Sequence, residues 1–264
     1  MASQSAHPNR DVWYAVFGTG HPELKKYQEF NLRLPSPPRC KLCYAPYGGV
    51  GKVIMKLQNR APSSRNPLFC SRCDEFLRKF PGGAEVEMTI VFIDVRGSTG
   101  LAQKMAPAEF SLAMQSFYND TFPVFNAHDG FITDVRGDGA LVTFPPGFSG
   151  ADHASKAIDA VKAVLGLPIL APDGSTLGLG AGVHTGVAYI GTMTGKGTGV
   201  EDITVLGDAP NVASHLCTVA RSGEALVSDA ARAAASLDYA SLERRDITVK
   251  DRTESVNAYV VTAT

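Results

Sequence analysis

The chain has 264 residues, 44% of them hydrophobic and 19% charged, the composition of an ordinary soluble protein able to bury one large core or two smaller ones. A net charge of -1 and a pI of about 6.6 remove any global electrostatic case for nucleic acid or an anionic membrane; such a partner would need a local patch. The opening MASQSAHPNRDVW lacks the apolar core of a signal peptide, and no apolar run approaches the roughly 18 residues of a membrane span. A cytoplasmic location with no membrane partner is therefore expected.

Residues 1–39 are mixed, with a short helix near Glu23–Phe30 followed by the stiff, proline-rich LPSPPRC. Of the five cysteines, four form two Cys-x-x-Cys pairs, Cys40 with Cys43 and Cys70 with Cys73, separated by a Gly/Lys-rich loop and a short apolar segment. In a reducing compartment this spacing points to metal before disulfide. The four thiolates can converge tetrahedrally on a structural zinc ion; an iron–sulfur cluster, which takes the same ligands, comes second. GGVGK at Gly48–Lys52 has the wrong spacing for a phosphate loop and no strand before it. Lys52, Lys56, Arg60 and Arg65 read as a solvated loop rather than an interaction surface.

Gly82–Gly83 reads as a hinge, giving a cysteine module over 1–83 and a larger domain over 84–264. The larger domain opens with MTIVFIDVRGST at Met88–Thr99, a buried strand that carries Asp94 out at its end and turns through glycine into a helix. Asp94 there either caps that helix or holds a divalent metal, with the N–H groups of Val95–Thr99 facing a phosphate. Helices follow at Ala102–Lys104 and from Pro107 to about Val124. Gly130–Asp134 and Ala140–Phe144 then form a hairpin with Asp138 at its tip. After a helix at Ala151–Leu165, the runs Leu177–His184 and Val187–Gly191 read as a second, glycine-rich hairpin. A strand ending at Val205–Leu206, a helix from Asp208 and a strand–helix–strand tail complete a mixed, largely antiparallel α+β pattern. If the strands of Asp94 and Asp138 pair in one sheet, both carboxylates can face the same pair of divalent ions, a site suited to phosphoryl transfer.

FIDVRGST, RGDGALVTF, GVHTGVAYIG, TVLGDAPNVASHL, GEALVS and LERRDITVK lie in the order and spacing of the class III nucleotidyl cyclase catalytic domain, which residues 85–264 resemble. LPSPPRCKLCYAPYGG is similar to the segment preceding that domain in some bacterial stand-alone members. The resemblance implies the class III cyclase fold, with a ferredoxin-like βαββαβ core, preceded by a small metal-binding domain built on the four cysteines. It implies a homodimer with composite sites. Asp94, Val95 and Asp138 of one subunit would bind two Mg²⁺ or Mn²⁺, and Val95, Gly97, Ser98 and Thr99 would cradle phosphate. Asn211 and Lys250 of the other subunit would orient the ribose and grip the terminal phosphates. A nucleoside triphosphate would then become a 3′,5′-cyclic monophosphate and pyrophosphate, read by a downstream effector.

Two positions depart from the family. Four residues before Asp138, where adenylyl cyclases carry a lysine, stands Asp134. A carboxylate accepts, so it opposes adenine N1 and cytosine N3 and suits the N–H of guanine or uracil. Thr204, the other base-selecting position, can donate or accept. Similarity to the pyrimidine cyclases of bacterial antiphage signalling tilts the expectation narrowly to UTP, then GTP. Second, the family's Asn-x-x-x-Arg helix here reads Asn211-Val-Ala-Ser-His215, so the transition-state cation falls to His215 or to nearby Arg221, or activity is low. The alternatives are ordinary guanylate or adenylate cyclase signalling, and a weakly active nucleotide sensor. His184 reads as structural, and Cys217 as a small apolar helix residue.

Overall fold

A computed structural model describes residues 9–34, 38–194, 201–236, 238, 241–248 and 255–263. In chain order these form α1 (Arg10–Trp13), whose end continues as a π-helical turn over Tyr14–Thr19, α2 (Pro22–Leu32), α3 (Gly49–Leu57) and α4 (Ser71–Lys79). Then come β1 (Gly83–Val95), α5 (Ser98–Lys104), α6 (Pro107–Ala127), β2 (Phe131–Arg136), β3 (Gly139–Phe144), α7 (Pro146–Ser149) and α8 (His153–Leu165). The remainder is β4 (Leu179–Thr194), β5 (Glu201–Leu206), α9 (Asp208–Val219), β6 (Glu224–Ser228), α10 (Asp229–Ala234), β7 (Arg244–Thr248) and β8 (Ser255–Thr262). The expected Gly/Lys-rich loop is largely α3, a helix with an apolar stripe that buries Met55.

The chain divides into two compact units, Met1–Val86 with Tyr189–Val205, and Glu87–Ala188 with Leu206–Thr264. In the first, Trp13 stacks on Phe17 at 5.6 Å and donates its indole N–H to Phe80 O at 2.8 Å. The Asn31 amide donates to Cys43 O at 2.8 Å and that of Gln28 to Leu42 O at 2.9 Å, fastening α2 to the first cysteine turn. The Arg39 guanidinium donates to the carbonyls of Asn31 and Leu34, adding to the backbone cap of α2 at Arg33. At the end of the cysteine region, Gly82 N–H donates to Thr192 Oγ1 at 3.0 Å and its carbonyl accepts from Thr192 N–H at 2.8 Å.

The sheet has the order β2-β3-β1-β4-β6-β8-β7, with β5 paired to β4 outside that path. β1 and β3 are antiparallel, as are β2 and β3 and the β6–β8–β7 set, whereas β4 and β6 are parallel. In the second unit successive residues of β6 serve opposite faces, as strand pleating requires. Ala225 and Val227 join Val91, Ile93, Phe117, Phe125, Ile158 and Val161 in the main core under α6 and α8. Leu226 instead packs with Val212 and Leu216 of α9. The expected second glycine hairpin is absent: Leu177–Gly191 contains no turn, and β4 runs straight through it. Its glycines serve close approach. A Cβ at Gly182 would lie 2.1 Å from Ala213 O and 2.3 Å from Cys217 N, so α9 rests directly on the strand backbone.

Candidate active site

Register places the first acid. Asp94, at the end of β1, lies opposite Gly139 at the start of β3, and Val95 N–H donates to Asp138 O at 2.9 Å. Gly137, with φ +57, makes the tight reversal that brings Asp138 round to this spot. Ser98 Oγ donates to Asp138 Oδ2, and Tyr118 O–H donates to Gly137 O, so both the carboxylate and its turn are held from outside. Asp94 and Asp138 line one pocket of about 180 Å³, together with Arg136, Ser214, Cys217 and Thr218.

Arg96 occupies the same corner, a role its sequence position does not disclose. Its Nη2 ion-pairs with Asp94 Oδ1 and donates to Cys217 Sγ at 3.3 Å, while Nη1 reaches Thr218 O at 3.4 Å. The guanidinium fits because residue 180 is glycine: a Cβ there would sit 2.3 Å from Arg96 Nε. Burial raises the Asp94 carboxyl above its ordinary range, Arg96 and Cys217 oppose the rise, and the Asp138 charge adds to it. Two carboxylates side by side in a small pocket, one of them raised by the other's charge, fit a hard divalent cation, which would relieve their repulsion.

The phosphate cradle expected over Val95–Thr99 is partly spent within the protein. Val95 N–H serves Asp138 and Arg96 N–H serves Gly178 O at 2.7 Å, while Gly97 supplies a left-handed turn at φ +71. Asp134 lies on β2, where its carboxylate accepts from Val135 N–H at 2.9 Å and from Arg136 Nε at 2.5 Å. Thr204 lies on β5, in the other compact unit. Asn211 is exposed on α9. His215 Nε2 hydrogen-bonds Thr248 O at 2.9 Å, tying α9 to β7, and the exposed Arg221 stands 3.9 Å from Glu224 Oε1. Lys250 lies outside the described residues. His184 does prove bonded within the fold, its Nδ1 2.9 Å from Ser228 Oγ.

An adenylate and guanylate cyclase catalytic domain matches residues 83–263. The chain belongs to that family. Among solved structures, the cyclase fold is shared with the guanylyl cyclase Cya2, at a TM-score of 0.60 and 23% identity over 69% of this chain and 95% of that one. It is shared equally with the adenylyl cyclase CyaB from P. aeruginosa, at a TM-score of 0.59 and 23% identity over 69% and 96% of the two chains. An adenylate cyclase of Anabaena cylindrica is 30% identical over 134 residues, 49% of this chain and 26% of that protein. An uncharacterised protein of Mycobacterium tuberculosis is 29% identical over 166 residues, 62% of this chain and 29% of its own length. The chain thus spans about a quarter of the length of the curated relatives it matches.

Residues 1–82, before the matched cyclase domain, hold a second cluster. The sulfurs of Cys40, Cys43, Cys70 and Cys73 all lie within 4.8 Å of one another and are buried. Cys43 and Cys70 Sγ are 3.7 Å apart, close to the roughly 3.8 Å edge of a tetrahedral thiolate site with metal–sulfur bonds near 2.3 Å. A multi-iron cluster would interpose several atoms and spread the sulfurs further, so the donor set fits a single ion. Arg60 donates to Cys43 Sγ at 3.5 Å and stacks over Tyr27 at 3.9 Å, offsetting thiolate charge. Burial alone would raise the Cys40 thiol, yet hydrogen bonds from its three companions hold it well below the usual range. Hydrogen bonds with the other cysteines push Cys73 up. No described helix is long and apolar enough to cross a membrane.

Proposed function

We propose that the chain is a nucleotidyl cyclase that converts a nucleoside triphosphate, UTP before GTP, to its 3′,5′-cyclic monophosphate and pyrophosphate. The observation carrying this reading is the pairing of Asp94 and Asp138 in one pocket, two carboxylates on adjacent strand ends. Asp94, the Val95 carbonyl and Asp138 would hold two Mg²⁺ or Mn²⁺, which when bound acidify an attacking hydroxyl and neutralise phosphate charge. Ser98 holds the Asp138 carboxylate in place for this, and Tyr118 holds the turn beneath it. The ribose 3′-oxygen forms a bond to the α-phosphorus as the bond to pyrophosphate breaks, and the hydroxyl proton leaves to solvent. Because the reaction is intramolecular, positioning supplies much of the acceleration, with Asn211 orienting the ribose and Lys250 gripping the terminal phosphates.

The preference for UTP and GTP rests on Asp134. A carboxylate has about four acceptor positions. Val135 and Arg136 each use one, so acceptor capacity remains for an N–H of uracil or guanine. The four-cysteine cluster binds a structural zinc ion, and the product signals to a cyclic-nucleotide effector, as in antiphage systems. The test is product formation from each of the four triphosphates at equal concentration. Cyclic UMP is expected to lead, with cyclic GMP second, and Asp138→Ala is expected to lower turnover by more than about a hundredfold. Preferred turnover of ATP would overturn the Asp134 argument. Product from neither wild type nor variant would favour a sensor, a reading His215 supports because Thr248 already engages its ring.

A further inference from the structure

One charged contact joins the first cysteine turn to β5. Lys41 stands between Cys40 and Cys43, and its Nζ lies 2.8 Å from Asp202 Oδ1 with only 14% of the lysine side chain exposed. The turn that carries Lys41 is built on the thiol cluster. Cys40 N–H donates to Ala45 O at 2.8 Å, Tyr44 N–H to Cys40 O at 2.9 Å and Lys41 N–H to Leu68 O at 2.8 Å. Cys40 Sγ in turn accepts from Cys70 N–H at 3.2 Å. Where the four sulfurs sit therefore fixes where Lys41 points.

The receiving end is equally ordered. Asp202 is the second residue of β5, and its Oδ1 also accepts from Ile203 N–H at 2.7 Å. Along β5, Ile203 and Val205 are buried while Asp202 and Thr204 are half-buried, so residues 202 and 204 share one face, two apart as pleating dictates. β5 pairs with β4, whose Thr192 is bonded at both N–H and Oγ1 to Gly82. These residues all fall in one compact unit.

We propose that the four-thiol site acts on nucleotide selection, through Lys41 and Asp202 as positioning residues for Thr204. Metal held by Cys40, Cys43, Cys70 and Cys73 fixes the Lys41 turn, Lys41 anchors Asp202, and Asp202 sets the face of β5 that presents Thr204. Loss of the metal releases that face. This inference rests on the cyclase reading for its kinetic consequence, but the mechanical coupling does not depend on it.

The experiment uses the full chain loaded with zinc and follows backbone hydrogen exchange at Ile203–Val205 alongside steady-state kinetics. Zinc removal by a chelator is expected to speed exchange in β5 by about tenfold or more. Asp202→Ala, which leaves the thiols intact and loaded, reproduces that loss of protection. It also raises the triphosphate KM about three- to tenfold with kcat within about twofold, and narrows the ratio between bases. Lys41→Met, which removes the ion pair but keeps the Ile203 N–H bond to Asp202, gives the same loss of protection and the same narrowed ratio between bases, and the change in base ratio is what a merely structural role for the pair would not produce. Unchanged exchange and unchanged KM in zinc-loaded Asp202→Ala would overturn the proposal while leaving the cyclase reading intact. Failure of the wild type to turn over any triphosphate strikes the cyclase reading instead, and the exchange comparison then decides the coupling alone.

Discussion

Two cations compete for Asp94: the divalent ion that the acid pair would hold, and the guanidinium two residues further along the chain. Arg96 lies over Gly180, reaches Cys217 and Thr218, and ion-pairs with Asp94 Oδ1. Metal binding must displace or share that contact. Arg96→Met keeps the stem that packs on β4 and removes the charge. With the pair only partly desolvated, its removal is worth about 1 kcal/mol, so Mn²⁺ should bind roughly fivefold more tightly to the variant. Manganese titration followed by electron paramagnetic resonance reads this without turnover. Weaker binding would mean that Arg96 holds Asp94 in its metal-binding orientation rather than guarding it. The pairing of Asp134 with Arg136 follows the i, i+2 spacing of one strand, where pleating puts side chains on one face, whereas Arg96 reaches Asp94 from the turn after β1, which no strand spacing discloses.

Elements explain why some of the fold was legible and some was not. β1, α6, β2, β3, α8 and α9 follow from apolar period and turn residues, and Asp94 and Asp138 follow from their strand ends. β4 misleads because glycine marks both turns and close backbone approach; Gly180 and Gly182 are required by Arg96 and α9, partners distant in sequence. At the far side of the sheet, Arg245 donates from Nη1 and Nη2 to the two oxygens of Glu224 at 2.8 and 3.0 Å. Those bonds hold the Glu224 carboxyl below its ordinary range. A carboxylate with a depressed folded pKa stabilises above its unfolded value near 4.3, and that contribution is lost as pH falls through the folded value. Arg245→Met should therefore cost about 1–3 kcal/mol near neutrality and much less below pH 4, seen as an acid-unfolding midpoint moved to higher pH by circular dichroism. The cysteine module answers to metal instead. Chelation should release one zinc ion per chain and expose Phe69 and Leu77, both fully buried beside the thiols in sequence, with a matching loss of helical signal from α3 and α4. An unchanged spectrum after complete metal release would contradict a structural role for the ion.

At the scale of the whole molecule the question is how many chains make one site. Asp94, Asp138, Ser98 and Arg96 cluster at one corner of the second unit, whereas Asn211 is exposed on α9. A residue expected to touch ribose, standing in solvent on a helix whose buried positions are Val212, Ala213, Leu216 and Cys217, makes sense when a second copy brings its acid pair to it. Two inactive variants then test the arrangement. Asp138→Ala lacks a metal ligand and Asn211→Ala lacks the ribose contact, so each homodimer has two broken sites. If sites are composite, mixing the two in equal amounts puts half of the dimers in the mixed form. Each mixed dimer carries both lesions in one site and neither in the other, so about a quarter of wild-type turnover returns. If each chain holds a whole site, both lesions stay in every mixture and nothing returns. Recovery that rises with the product of the two variant concentrations, measured as cyclic nucleotide formed per minute, would assign the exposed face of α9 to the dimer interface.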